Sequence, residues 1–159
     1  ERTFQIVSQV AGRSGRGNEP GEVVVQTFDP DHYAIRSAVR HDYADFVDRE
    51  LAERREVGWP PFVHLVNVIS RDPDERAARS RLDTLAKLLI SDGDFGRAGV
   101  QVTGPMPAVL SKLRGEYRWH LVLRSPERQA VLDLLRRALR NSGSLWRRLT
   151  VDVDPASML

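Results

Sequence analysis

The chain predicts two architectures in series, the edge of an α/β unit followed by an α+β domain of β-α-β-β-α-β order. Three observations carry that reading. A β-branched run, EVVVQTF (22–28), follows a glycine-rich loop; a highly charged stretch at helical spacing separates it from the paired prolines of GWPPF (58–62); and beyond Pro61 segments that alternate in polarity trade places with segments whose apolar residues recur at three and four. The predicted boundaries are 1–30 for the α/β edge, 31–59 for a helical connector and 60–159 for the α+β domain.

Residues 1–11 place Phe4, Val7, Val10 and Ala11 on one side of a short helix that Gly12 ends. After the loop Gly12–Gly21, the continuous apolar character of EVVVQTF suits a strand buried in a parallel sheet, whose earlier strands are expected upstream of Glu1. Ile35, Ala38 and Val39, then Tyr43, Phe46, Val47, Leu51 and Arg54, predict two amphipathic helices. FVHLVNVIS (62–70) alternates as a strand. PDERAARSRLDTLAKLLI (73–90) is a helix with Asp72 as its cap and Ala78, Leu82, Leu85, Leu88 and Leu89 along one side. GVQVTG (99–104) and YRWHLVLRS (117–125) are strands, SPERQAVLDLLRRALR (125–140) is a helix capped by Ser125 with Pro126 at its first position, and WRRLTVDVD (146–154) is the last strand. That order is the ferredoxin-like one.

The composition excludes several classes of function. With 159 residues, 41% of them hydrophobic, the chain supports one sizeable core or two small ones. It has no cysteine, and His32, His41, His64 and His120 lack the short spacing of a zinc site, so no metal site is expected. No apolar run approaches the roughly 20 residues that span a bilayer and no signal pattern opens the chain, which makes a cytoplasmic protein with no membrane partner the expectation. The net charge is +2, yet Lys87 and Lys112 are the only lysines among 24 basic residues. An arginine bias fits phosphate recognition and equally fits arginine-favouring codon usage.

Near the start, SQVAGRSGRG (8–17) sets two arginines in a glycine frame: Gln9-x-x-Gly12-Arg13-x-Gly15-Arg16. Read by itself this is either a phosphate-contacting loop or a solvated arginine-glycine loop. The pattern resembles motif VI of superfamily 2 helicases. The runs QTFDPDHYAI, ELAERREVGWPPF, GPMPAVLSKLRGEYRWHLVL and VDVDPASML extend the likeness over essentially the whole chain, which resembles the C-terminal portion of the primosomal protein N′ (PriA) family of replication restart helicases. Trp59 stands where the family has tyrosine before the paired prolines.

The resemblance implies that residues 1–30 are the tail of a RecA-like helicase lobe. In the family's motor, ATP with magnesium sits between two such lobes, Arg13 and Arg16 are arginine fingers, Gln9 contacts the nucleotide, and Gly12 and Gly15 serve shape. An arginine finger is worth on the order of 10³–10⁵ in rate. It further implies a parent enzyme that is an ATP-dependent 3′ to 5′ DNA helicase, active in replication restart and primosome assembly, with a zinc-binding insertion. Its C-terminal domain is similar in fold to a small ribosomal-subunit protein. The expected partners are branched and single-stranded DNA, the C-terminal tail of the single-stranded DNA-binding protein and other primosome proteins, in the cytoplasm at the nucleoid. This chain has no G-x-x-x-x-G-K-[ST] loop and no acidic metal box, so it is expected to need no cofactor and to be inactive alone. An independent ferredoxin-like nucleic-acid-binding or protein-docking module without ATPase activity is the alternative.

A second candidate surface is LRGEYRWH (113–120), where Arg114, Tyr117, Arg118 and Trp119 interleave cations and rings. Such a pattern suits stacking on bases with phosphate contact. Strand alternation offers the other reading, with Tyr117, Trp119 and Leu121 packed inward and Arg118 and His120 facing out. Arg136, Arg137, Arg140, Arg147 and Arg148, with Trp146, either follow a DNA backbone or complement a helix C-terminus. His32 and His41 read as surface or capping groups, and Asp152–Pro155 as a strand end.

Overall fold

A computed structural model of the chain describes residues 1–14, 22–143 and 145–155. It divides into two compact units, Glu1–Val57 and Gly58–Leu159.

The first unit holds α1 (Arg2–Ala11), α2 (Tyr33–Val39) and α3 (Tyr43–Glu56). Phe4 from α1 stacks on Phe46 from α3 with centroids 4.2 Å apart, and Ala34 and Ala38 close the cluster; of the residues expected on these faces, Val10, Val39 and Tyr43 are exposed instead. Gly12 does end α1, in right-handed helical geometry. Both connector helices are capped: His32 Nδ1 accepts from the Ala34 amide at 3.2 Å and the Asp42 carboxylate from the Asp45 amide at 3.0 Å.

The expected buried strand at 22–28 does not form. Those residues are extended without a ladder; Val24 is 86% exposed and Phe28 fully so. A strand needs a neighbour for its N–H and C=O groups, and among the described residues none pairs with this run.

The second unit follows the expected order: β1 (His64–Asp72), α4 (Glu75–Ile90), β2 (Gln101–Leu113), β3 (Glu116–Ser125), α5 (Arg128–Asn141), a 3₁₀ turn at Leu145–Arg148 and β4 (Leu149–Val153). The sheet runs β2-β3-β1-β4 with every neighbouring pair antiparallel. Its inner face carries Val66, Val68, Leu121 and Leu123, against which α4 lays Leu82, Leu85 and Leu89 and α5 lays Val131, Leu134 and Leu135, all buried. Each such side chain contributes about 1.5–3 kcal/mol when withdrawn from water. No helix among the described residues is long and apolar enough to cross a membrane.

Three local expectations shift. The cap of α4 is Asp74, whose carboxylate accepts from the Arg76 amide at 3.0 Å, while Asp72 turns the preceding backbone by accepting from the Asp74 amide at 2.9 Å. α5 starts at Arg128 behind Glu127, which makes no side-chain cap; Ser125 Oγ accepts from the Glu127 amide instead. The strand expected to stop at Gly104 continues through Pro105 and Pro107 to Leu113, because two register shifts let it pass those residues and keep pairing with β3.

Candidate functional site

β2 and β3 join through Arg114-Gly115, both at positive φ (51° and 85°), with Leu113 paired to Glu116. This is a two-residue hairpin turn of the type whose backbone twist matches the strands it connects. Arginine in left-handed geometry is uncommon, and it stands exposed at the tip beside exposed Lys112.

The hairpin from Gln101 to Ser125 carries four cations, Lys112, Arg114, Arg118 and Arg124, against one carboxylate, Glu116. Lys112 Nζ donates to the Tyr117 hydroxyl at 3.3 Å and lies 4.6 Å from its ring centroid; Arg124 donates to Gln101 Oε1 at 2.9 Å. Lys112, Arg114 and Arg118 have no carboxylate partner among the described residues. Several arginines elsewhere in the unit are neutralised: Arg137 by Asp92 and Asp94, Arg136 by Asp133, Arg148 and Arg81 by Asp72, Arg128 by Asp154. Arg136, Arg137 and Arg148 of the helical basic cluster are thus held in ion pairs, while Lys112 and Arg114 on the hairpin stand exposed without one among the described residues.

Alternation along β3 separates the predicted residues onto two faces. Tyr117 and Trp119 are half-buried on the helix side, where Trp119 packs on the core and Arg79 stacks its guanidinium 5.4 Å from the ring. Arg118 and His120 lie on the outer face as alternation demands, yet at 7% and 3% exposure they are buried rather than solvated. His120 Nδ1 donates to Asn67 Oδ1 at 2.9 Å; its Nε2 and Arg118 Nε have no partner among the described residues. Burial first, then the charge of Arg118, holds the His120 pKa below its usual value, so the ring is neutral near pH 7. The described outer-face residues of β1 and β3, Leu65, Asn67, Ile69, Arg71, Arg118, His120, Val122 and Arg124, include no Phe, Tyr or Trp, and the His120 imidazole is buried. A base-stacking platform of the kind that four-stranded sheets use in RNA binding is thus not present on those strands.

Sequence reasoning missed a cavity of about 310 Å³ on that outer face, lined by Trp59, Leu65, Thr103, Met106, Val122 and Arg124. Its walls come from four separate stretches, which no local pattern connects. In the first unit, Gln9 is exposed and lines a cavity of about 580 Å³ with Phe4, Ser8, Phe46 and Glu50, while Arg13 and Gly12 are exposed beyond the end of α1. Gly15 and Arg16 lie outside the described residues. No three His, Asp or Glu side chains among the described residues are placed to hold a metal ion.

Residues 55–156 match the family model of the primosomal protein N C-terminal domain. The chain belongs to that family. It is similar to replication restart protein PriA from Haemophilus influenzae (36% identical, 99% of this chain and 22% of the relative), Thermotoga maritima (34%, 99% and 20%) and Synechocystis (33%, 99% and 18%). The chain therefore spans about a fifth of the length of the curated relatives it matches, and the likeness includes the helical unit as well as the family's C-terminal domain. A de novo designed protein aligns with 57% of this chain and 92% of its own at a TM-score of 0.42 and 20% identity.

Proposed function

We propose that this chain is the C-terminal part of an ATP-dependent 3′ to 5′ DNA helicase of replication restart, and that its own contribution is to bind branched DNA through the β2–β3 hairpin. The observation that carries the DNA contact is that Lys112 and Arg114 stand exposed, without carboxylate partners among the described residues, on an element with a single acid, Glu116. Phosphate contact by such cations releases counterions, so affinity falls steeply with salt, at a log–log slope of about −0.9 per phosphate. The test is fluorescence anisotropy of this chain on a forked DNA at several salt concentrations. Lys112→Gln with Arg114→Asn is expected to weaken binding and to flatten the slope by nearly two, since asparagine accepts the turn geometry while removing the charge. Affinity indifferent to salt would remove the reading.

In the same proposal Arg13 and Arg16, with Gln9, Gly12 and Gly15, reach a nucleotide held mostly by a neighbouring lobe. ATP, magnesium and zinc then belong to the parent enzyme and the chain alone hydrolyses nothing. The exposed, unpaired run at 22–28 supports a place beside further strands. A protein-docking role is favoured by a separate observation, the apolar outer-face cavity with Arg124 in its wall. Its proposed occupant is the tail of the single-stranded DNA-binding protein, and Met106→Asp is expected to abolish capture of that tail peptide while leaving fork affinity unchanged.

A further inference from the structure

Within β2, Pro107 pairs with Trp119 and Lys112 with Tyr117, so that residues 108–111 all stand opposite one residue, Arg118. An insertion of this size forces the edge strand out of its ladder. The bulge buries Ala108, at 6% exposure, and turns Val109 and Leu110 outward at 72% and 52%. Edge strands commonly protect themselves with charge, proline or a bulge, yet this bulge exposes two adjacent aliphatic side chains, which protection alone does not call for. On either side of them lie cations with no carboxylate partner among the described residues: Lys112 and Arg114 toward the turn, and Arg118 across the ladder.

We propose that Val109 and Leu110 form an apolar wedge that packs on the exposed face of the base pair at a DNA branch point while Lys112 and Arg114 hold the flanking phosphates. The inference rests on the DNA-binding reading above and adds what selects the branch. Within a continuous duplex every base face is covered by its neighbour, so a wedge must first unstack a step; at a branch or an end one face is already bare, and aliphatic side chains cover it without that cost. Apolar side chains set beside cations are a general means of unstacking a base step. The surrounding charge is what favours DNA over a protein as the occupant.

The test compares this chain with Val109→Ser/Leu110→Ser on a fork with 2-aminopurine at the junction, and on a linear duplex closed by hairpin loops at both ends. The parent chain is expected to prefer the fork and to raise the 2-aminopurine fluorescence. In the double variant the preference should fall about five- to tenfold and the fluorescence rise should vanish, with the salt slope unchanged; Leu110→Met should behave as the parent. Lys112→Gln/Arg114→Asn should instead weaken both DNAs alike and flatten the slope. An undiminished fork preference in the serine variant overturns the wedge and leaves the aliphatic pair to a protein partner. Equal, salt-dependent binding of fork and closed duplex by the parent chain also overturns it while the DNA-binding reading stands, whereas no binding of either removes that reading itself.

Discussion

At Gly104 the backbone of β2 comes so close to β3 that a Cβ would stand 2.8 Å from the His120 carbonyl oxygen and 3.1 Å from the Met106 amide nitrogen, at a φ of +105°. Gly104→Ala is expected to cost about 1–3 kcal/mol or more, from overpacking and backbone strain together, read as a lower urea midpoint. The same glycine looks in sequence like the end of a strand, because the approach of a second backbone leaves no local mark. Asp72 gives a pH prediction. Arg81 foremost, then the Asp74 amide, hold its carboxyl below the usual aspartate range. A depressed folded pKa means that its stabilisation is present above the ordinary value of about 4 and is lost as pH falls through the lower folded value. Asp72→Asn lacks that component, so its thermal midpoint should change less than the parent's between about pH 5 and pH 2.

Among the elements, α4 shows how much a pattern can specify and where it stops. Ala78, Leu82, Leu85 and Leu89 fall on the buried side as their spacing requires. The cap, however, lies two residues beyond the aspartate expected, since Asp74 keeps extended geometry (φ −94°, ψ 117°) and the helix cannot begin before it. Asp74→Ala is expected to lower stability by about 1 kcal/mol, measured by thermal unfolding; an unchanged midpoint would assign the cap elsewhere. The run at 22–28 is the opposite case. Valine and phenylalanine favour strands, but β propensity expresses side-chain burial against neighbours, and without a paired strand the run stays exposed.

For the whole molecule, the proposed motor makes a demand on residues that this chain cannot use by itself. Arg16→Ala in the intact two-lobed enzyme is expected to reduce DNA-stimulated ATP turnover by 10³-fold or more with fork binding retained, and unaltered turnover would withdraw the finger assignment. The proposed DNA surface follows a different logic. Composition shows only a net charge of +2, whereas the fold pairs helix arginines with aspartates distant in sequence, such as Arg137 with Asp92 and Arg148 with Asp72, and leaves Lys112 and Arg114 exposed without a carboxylate partner among the described residues. By itself the sequence determined the β-α-β-β-α-β order, the apolar face of α4 and the glycine-arginine motif, because periodicity, turn residues and spacing act between neighbours along the chain. Only the tertiary structure decided which arginines stay free, which face of β3 buries Trp119, how far β2 runs past its prolines and where the outer-face cavity opens. Those features depend on ion pairs and backbone pairing between residues tens of positions apart, which no local pattern encodes.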